Sequence, residues 1–206
     1  MFDGFVADHA DFHWLAEKAG GWQFGEQGVL VAAANQICEW GDCVEIGAGD
    51  GETLPLTIDS FNYGGNNLFL FEADAKSASM IKAKYTNAVV YGKFDASLLY
   101  GIDESPLVCV IDVDGIDREI MLDFLRCKTP EILMVEHFDK FHFAHCTQSD
   151  PLPDWALGME LAGQFKLQDN EAAINRIAKM FDYVRLGTTR VNSIFVHKQY
   201  AEKLKR

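Results

Sequence analysis

The chain is short of positive charge. Its 206 residues carry 18 Lys and Arg against 31 Asp and Glu, a formal net charge of -13. Nucleic-acid phosphates and anionic lipid surfaces are bound through clustered cations, so this balance argues against a general affinity for either. The one basic run, Lys203-Leu-Lys205-Arg206, is expected to be a solvated helix end. Cysteine is sparse as well. Cys38, Cys43, Cys109, Cys127 and Cys146 are odd in number and contain no CxxC pair, which speaks against a disulfide framework. Buried free thiols in a reducing, cytoplasmic setting are the expectation. No run approaches the roughly 20 apolar residues of a membrane span. The stretch Met1 to His9 lacks the positive n-region and apolar h-region of a signal peptide. There is no internal repeat and no low-complexity tract.

What is present is apolar mass. Hydrophobic residues make up 49% of the chain and aromatics 12%, enough for one globular domain with a full core over residues 1–206. Within it, residues 1–28 and 138–170 are the hardest to read and are taken as a variable N-terminal segment and an insertion.

One stretch organises the rest: Cys43-Val-Glu45-Ile-Gly47-Ala48-Gly49-Asp50-Gly51-Glu52. An apolar run that stops at clustered glycines predicts a strand feeding a tight turn. Glycine there permits positive φ and lets a ligand lie against bare backbone. Thr53 to Tyr63 can follow as a helix, with Pro55 tolerated in its first turn. The dinucleotide fingerprint needs its third glycine at position 52, which is Glu52, so a NAD-dependent oxidoreductase is disfavoured.

Along the chain, Ala7 to Ala19 is expected as an amphipathic helix with Phe12, Leu15 and Ala16 on one side. Val29, Leu30, Ala33, Ile37 and Trp40 recur at helical steps, which predicts a helix over 29–40. Further strands are expected at 67–72, 88–91, 106–111 and 132–135, the first with an apolar body as in a parallel sheet covered on both faces. Helices are expected at 77–85, 118–127 and 171–181. Tyr183 to Leu186 and Val191 to His197 predict a closing hairpin. Strands alternating with helices imply a parallel sheet, and ligands bind such sheets at the carboxyl ends of the strands. Polar residues gather there: Gly47 to Asp50, Glu72, Asp95, Asp112, Asp114, Glu136 and His137.

The sequence Glu45-Ile-Gly47-Ala-Gly49-Asp-Gly51 resembles motif I of the class I S-adenosylmethionine (SAM) methyltransferases. Within that class the likeness is nearest to the FkbM-like group, many of whose members are sugar or small-molecule O-methyltransferases. Phe24-Gly-Glu26-Gln27-Gly-Val-Leu30 resembles the group's lead-in, with Gln27 where an acidic residue is usual. Ile111-Asp112-Val-Asp114-Gly115-Ile-Asp117 and Val191-Asn192-Ser-Ile-Phe-Val196 resemble two further motifs. The resemblance implies a Rossmann-like, mostly parallel seven-stranded sheet of order 3-2-1-4-5-7-6 with an antiparallel C-terminal hairpin. It implies SAM as cofactor and a small-molecule or sugar hydroxyl as acceptor, with homo-oligomers possible and no nucleic-acid or membrane partner.

Carried over position by position, Glu45, Gly47, Ala48, Gly49, Asp50 and Gly51 would approach the methionine and ribose part of SAM. Glu72, with Ala73 beside it, would accept hydrogen bonds from the ribose hydroxyls. Asp95, Ala96 or a neighbour would meet the adenine, and Asp112 would face the methyl-transfer side. For a hydroxyl acceptor a base is needed, and Asp112, Asp114, Glu136 and His137 are the candidates, with none preferred. For Asp117 a structural role in turning strand into helix weighs at least as much as a chemical one. His137, His142, His145 and Cys146 match no standard zinc spacing, so no metal site is expected. The aromatics of 138–170 (Phe138, Phe141, Phe143, Trp155, Phe165) predict a lid over the acceptor. The competing reading is a Rossmann-like SAM- or nucleotide-binding scaffold without turnover.

Overall fold

Short apolar runs that end in polar residues become the strands of one sheet. The structure, a computed structural model, describes residues 4–21, 24–38, 40–52, 56–62, 66–113, 116–137, 171–189 and 191–206. Strands β2 (Cys43–Ile46), β3 (Leu68–Phe71), β4 (Val89–Tyr91), β5 (Val108–Ile111) and β6 (Ile132–Glu136) are mutually parallel. Strand β8 (Asn192–His197) lies antiparallel on β6, and β7 (Tyr183–Thr188) antiparallel on β8. An edge strand β1 (Val6–Ala7) pairs antiparallel with β7, giving the order β1-β7-β8-β6-β5-β2-β3-β4. Read from β4 to β7 this is the implied mixed order, and β1 adds an eighth strand to the seven expected.

That eighth strand replaces part of an expected helix. The stretch 7–19 holds the end of β1, a 3-10 turn (Ala10–Phe12) and only a one-turn helix α1 (His13–Ala16). The edge of β7 offers unpaired backbone groups, and Val6 and Ala7 take them. Gly187 permits the approach, because a Cβ there would lie 2.2 Å from the carbonyl oxygen of Val6.

Helix α2 (Glu26–Ile37) begins earlier than expected, after Gly25 turns the chain at φ 90°, and stops at Ile37 because Cys38 is extended. Trp40 therefore leaves the helical face and is 59% exposed. Between β2 and β3 the described residues 56–62 hold a 3-10 helix (Asp59–Phe61) instead of an α-helix. Leu56, Ile58 and Phe61 are all buried, a spacing that no single α-helical face provides. Helices α3 (Ala75–Lys84), α4 (Asp117–Leu125), α5 (Glu171–Met180) and α6 (Lys198–Leu204) complete the layers.

Strand alternation splits the core in two. Leu70, Val110, Met134 and Ile194 pack on one face with α2, α6 and the 56–61 turn. Ile46, Phe71, Ile111, Val135 and Phe195 pack on the other with α4 and α5. Phe71, Phe124 and Phe195 are at most 1% exposed, and each such burial stabilises by about 1.5–3 kcal/mol. Of the thiols expected to be buried, Cys43 and Cys109 are, whereas Cys38 and Cys127 are exposed at the ends of their helices. No helix among the described residues is long and apolar enough to cross a membrane. The expected lid 138–170, with His142, His145 and Cys146, lies outside the described residues, as do Asp114 and Gly115.

Candidate functional site

The three motif glycines have positive φ, at 92°, 61° and 67° for Gly47, Gly49 and Gly51, but they serve different ends. A Cβ on Gly47 would sit 1.6 Å from the backbone oxygen of Asp112, so here glycine lets the ends of β2 and β5 close on each other. A Cβ on Gly51 would press on Ile81 of α3 and on Tyr85 just after it. Around Gly49 nothing lies within 4 Å of that position. Of these three glycines, Gly49 alone has such room among the described residues.

That room opens onto a cleft of about 500 Å³ at the carboxyl ends of β2, β3 and β5. Glu45, Gly47, Ala48, Gly49, Glu72, Ala73 and Asp112, all among the candidate cofactor residues, line it. Glu72 follows β3, and its two oxygens accept from the amides of Gly49 (2.8 Å) and Asp74 (2.7 Å). Each carboxylate oxygen has two lone pairs, so each retains an acceptor site beyond these bonds. Glu45 alternates with Val44 and Ile46 on β2 and so falls on the face of the 56–61 turn. There it accepts from the amides of Thr57 (3.0 Å) and Ile58 (3.1 Å). Burial pushes its carboxyl up to about 7; the amide bonds oppose that rise and nearby Asp112 adds to it.

Other predicted residues are placed differently. Asp95 is exposed and caps the 3-10 helix Ala96–Gly101, accepting from both the amide and the hydroxyl of Ser97. The Ser97 hydrogen bonds hold its carboxyl below the usual range. Neither Asp95 nor Ala96 lines the cleft; Lys93 and Phe94 just before them do. Asp50 turns back to accept from the amide of Glu52 at 2.8 Å. Asp117 closes the loop into α4 by accepting from the amide of Val113 at 2.8 Å, a structural task.

Of the candidate bases, Asp112 lines the cleft while Asp114 lies outside the described residues. Glu136 and His137 are 8% and 3% exposed and do not line it. The cause is continued pairing: the amide of His137 still donates to the carbonyl of Val191 (2.6 Å), one step past the end of β6. The imidazole Nε2 meets Thr188 Oγ1 of β7 at 3.1 Å. Among the described residues no group of three or more His, Cys, Asp or Glu is arranged to hold a metal ion.

Beside Phe94, a neighbour of Asp95 in the stretch expected to meet the adenine, the cleft is lined by Ile116 and Ile120, which sequence reasoning missed. Phe94 packs edge-on against Phe71, centroids 5.4 Å apart, at the end of β3. Sequence reasoning also missed a buried network at the other end of the rim. Glu26, first residue of α2 and 2% exposed, accepts through Oε1 from Thr189 Oγ1 (2.7 Å) and Asn192 Nδ2 (3.0 Å). Its Oε2 accepts from the amide of Phe24 at 3.0 Å. The available signal was that Glu26 and Asn192 each stood in a stretch already singled out.

No family model matches this chain. No curated protein matches it either. Solved structures do resemble it. An O-methyltransferase from Bacillus cereus in complex with SAH is similar over 93% of this chain and 92% of its own, with TM-score 0.58 and 10% identity. A plantazolicin methyltransferase with SAH is similar over 76% of this chain and 59% of its own, TM-score 0.55, 12% identity. A SAM-dependent methyltransferase from Methanosarcina mazei is similar over 79% of this chain and 93% of its own, TM-score 0.50, 10% identity. At such low identity the likeness is one of fold, and the fold is the Rossmann-like sheet shared by class I SAM-dependent methyltransferase structures.

Proposed function

We propose that the protein is a SAM-dependent methyltransferase that methylates a hydroxyl of a small molecule or sugar. One observation carries the reading. A half-buried carboxylate, Glu72, is hydrogen-bonded to the amide of the open glycine, Gly49, in a cleft where the strand order reverses between β2 and β5. The residues suit the cofactor. Glu72 retains acceptor sites for two ribose hydroxyls, Phe94, Ile116 and Ile120 offer apolar walls to a purine, and Gly47 to Gly49 present bare backbone. Bound SAM would supply a methyl group on an electrophilic sulfonium. The chain's own residues would hold the acceptor in line, exclude water and receive the hydroxyl proton.

A relation to the FkbM-like group is the finer part of this proposal. Its support is that Glu26, from the lead-in stretch, and Asn192, from the closing strand, are hydrogen-bonded to each other. Isothermal titration tests the cofactor: SAM or SAH is expected to bind, and no heat at millimolar ligand would remove the reading. A scaffold without turnover is the second reading, favoured because Asp112 alone of the candidate bases within the described residues lines the cleft. Bound cofactor with no methyl transfer across a broad panel of hydroxyl acceptors would select it.

A further inference from the structure

We infer that Glu45 determines which charge form of the ligand the cleft keeps. With Asp112 nearby, its buried carboxyl gives up a proton as the cationic sulfonium of SAM enters, and regains it once the neutral thioether SAH remains. This rests on the methyl-transfer reading above and assigns a selector to its cofactor site.

The backbone sets the placement. Glu45 belongs to β2 and is only 4% exposed, yet it lines the cleft. Strand β5 runs beside β2 in parallel register. The amide of Asp112 donates to the carbonyl of Ile46 at 2.9 Å, which pins Asp112 at the same end of the sheet. The amides of Thr57 and Ile58 fix the two oxygens of Glu45 but bring no full positive charge. The other ionisable groups around it are acidic or neutral. Asp112 follows β5, Glu72 follows β3, and Glu119 and Asp123 of α4 line the same cleft. The thiol of Cys109 on β5 is held neutral by its own burial, with Glu45 adding to the effect. Lys93, after β4, is the one cation lining the cleft among the described residues.

In the empty cleft, burial and the nearby Asp112 favour the protonated form of Glu45 near neutral pH. SAM and SAH differ by one methyl group and one positive charge. That charge favours the ionised carboxylate, so a cation enters and a proton leaves through the open cleft to water. Binding and deprotonation are then linked. SAM affinity rises with pH over the range in which Glu45 otherwise holds its proton. After transfer the sulfur is neutral, the attraction is gone and the proton returns. The cleft therefore keeps SAM in preference to SAH instead of holding both alike.

The test is isothermal titration of the full chain with SAM and with SAH at about pH 6.5, in buffers of differing ionisation enthalpy, which counts the protons released. SAM is expected to release on the order of half a proton or more, and SAH close to none. SAM affinity should rise on the order of tenfold from about pH 5.5 to about pH 7, below the range near about 8 where the ligand's own amino group titrates. SAH affinity should change by less than about twofold over the same range. Glu45→Gln, neutral at every pH, should remove both the release and the slope. If that variant does not fold, the Glu45 carboxyl resonance of the 13C-labelled native chain is followed in its place, and its midpoint should fall by about one pH unit or more on SAM binding. Equal proton counts for SAM and SAH, release that persists in Glu45→Gln, or a carboxyl midpoint unmoved by SAM overturns the inference and leaves the methyltransferase reading standing. No binding of either ligand removes both.

Discussion

The two ends of the sheet's rim solve opposite problems. Between β2, β3 and β5 the strands are parallel, each leads away into its own connection, and a cleft of about 500 Å³ remains between them. Around β6, β7 and β8 the pairing is antiparallel, a short turn joins β7 to β8, and Glu26, Thr189, Asn192 and Ser193 are all buried. The hairpin turn brings Thr189 and Asn192 together on the Glu26 carboxylate, so that end closes. Parallel strands need long crossovers, and the point where crossovers diverge stays open. Openness here is thus a matter of topology before it is one of side chains.

The comparison can be broken most severely at Gly47. Gly47→Ala should cost about 3–5 kcal/mol in chemical denaturation, because the methyl group meets the backbone of Asp112 and cannot be accommodated by a rotamer change. A cost under about 1 kcal/mol would mean that the ends of β2 and β5 are not locked together.

Next in size is a pH effect at Glu45. Its folded value, about 7, lies above the ordinary 4.5, so the folded state holds the proton more tightly than the unfolded state. The stabilisation is therefore complete below about pH 4.5 and is lost as pH rises through about 7, a change of about 3 kcal/mol across that window. Glu45→Gln should flatten this slope in urea titrations run at several pH values. An unchanged slope would place the titration elsewhere.

Glu72→Ala should weaken SAM binding by about 1.5–3 kcal/mol in calorimetry while leaving the network around Glu26 intact. Smallest in stability is Gly49→Ala, at about 1 kcal/mol for its left-handed backbone, since its Cβ meets nothing within 4 Å. Its SAM affinity should nevertheless fall clearly. A Gly49→Ala protein that binds like the native chain would show that the space beside Gly49 is not where the ligand lies.

The open half was legible in the sequence because its signals are local. A glycine at every second position after an apolar run, and an acid at the end of the next strand, announce themselves without any knowledge of partners. Asp95 misled because an acid after a strand serves equally as a cap, and the Ser97 two residues on decides for the cap. Trp40 fitted a helical period that the extended backbone of Cys38 interrupts. The Glu26 network was illegible for a different reason. Its hydrogen bonds span 163 and 166 residues, and no periodicity reports which distant carboxylate a buried threonine will meet. His137 was expected among the groups at the rim, yet it meets Thr188 of β7, 51 residues away, and does not line the cleft.

Glu72 has a kinetic consequence. Its carboxylate is already clamped by the amides of Gly49 and Asp74, so its rotamer freedom is spent before any ligand arrives. Association then waits on diffusion and alignment and not on a side chain searching for its place, and differences in affinity among ligands that use this carboxylate should appear in how slowly they leave.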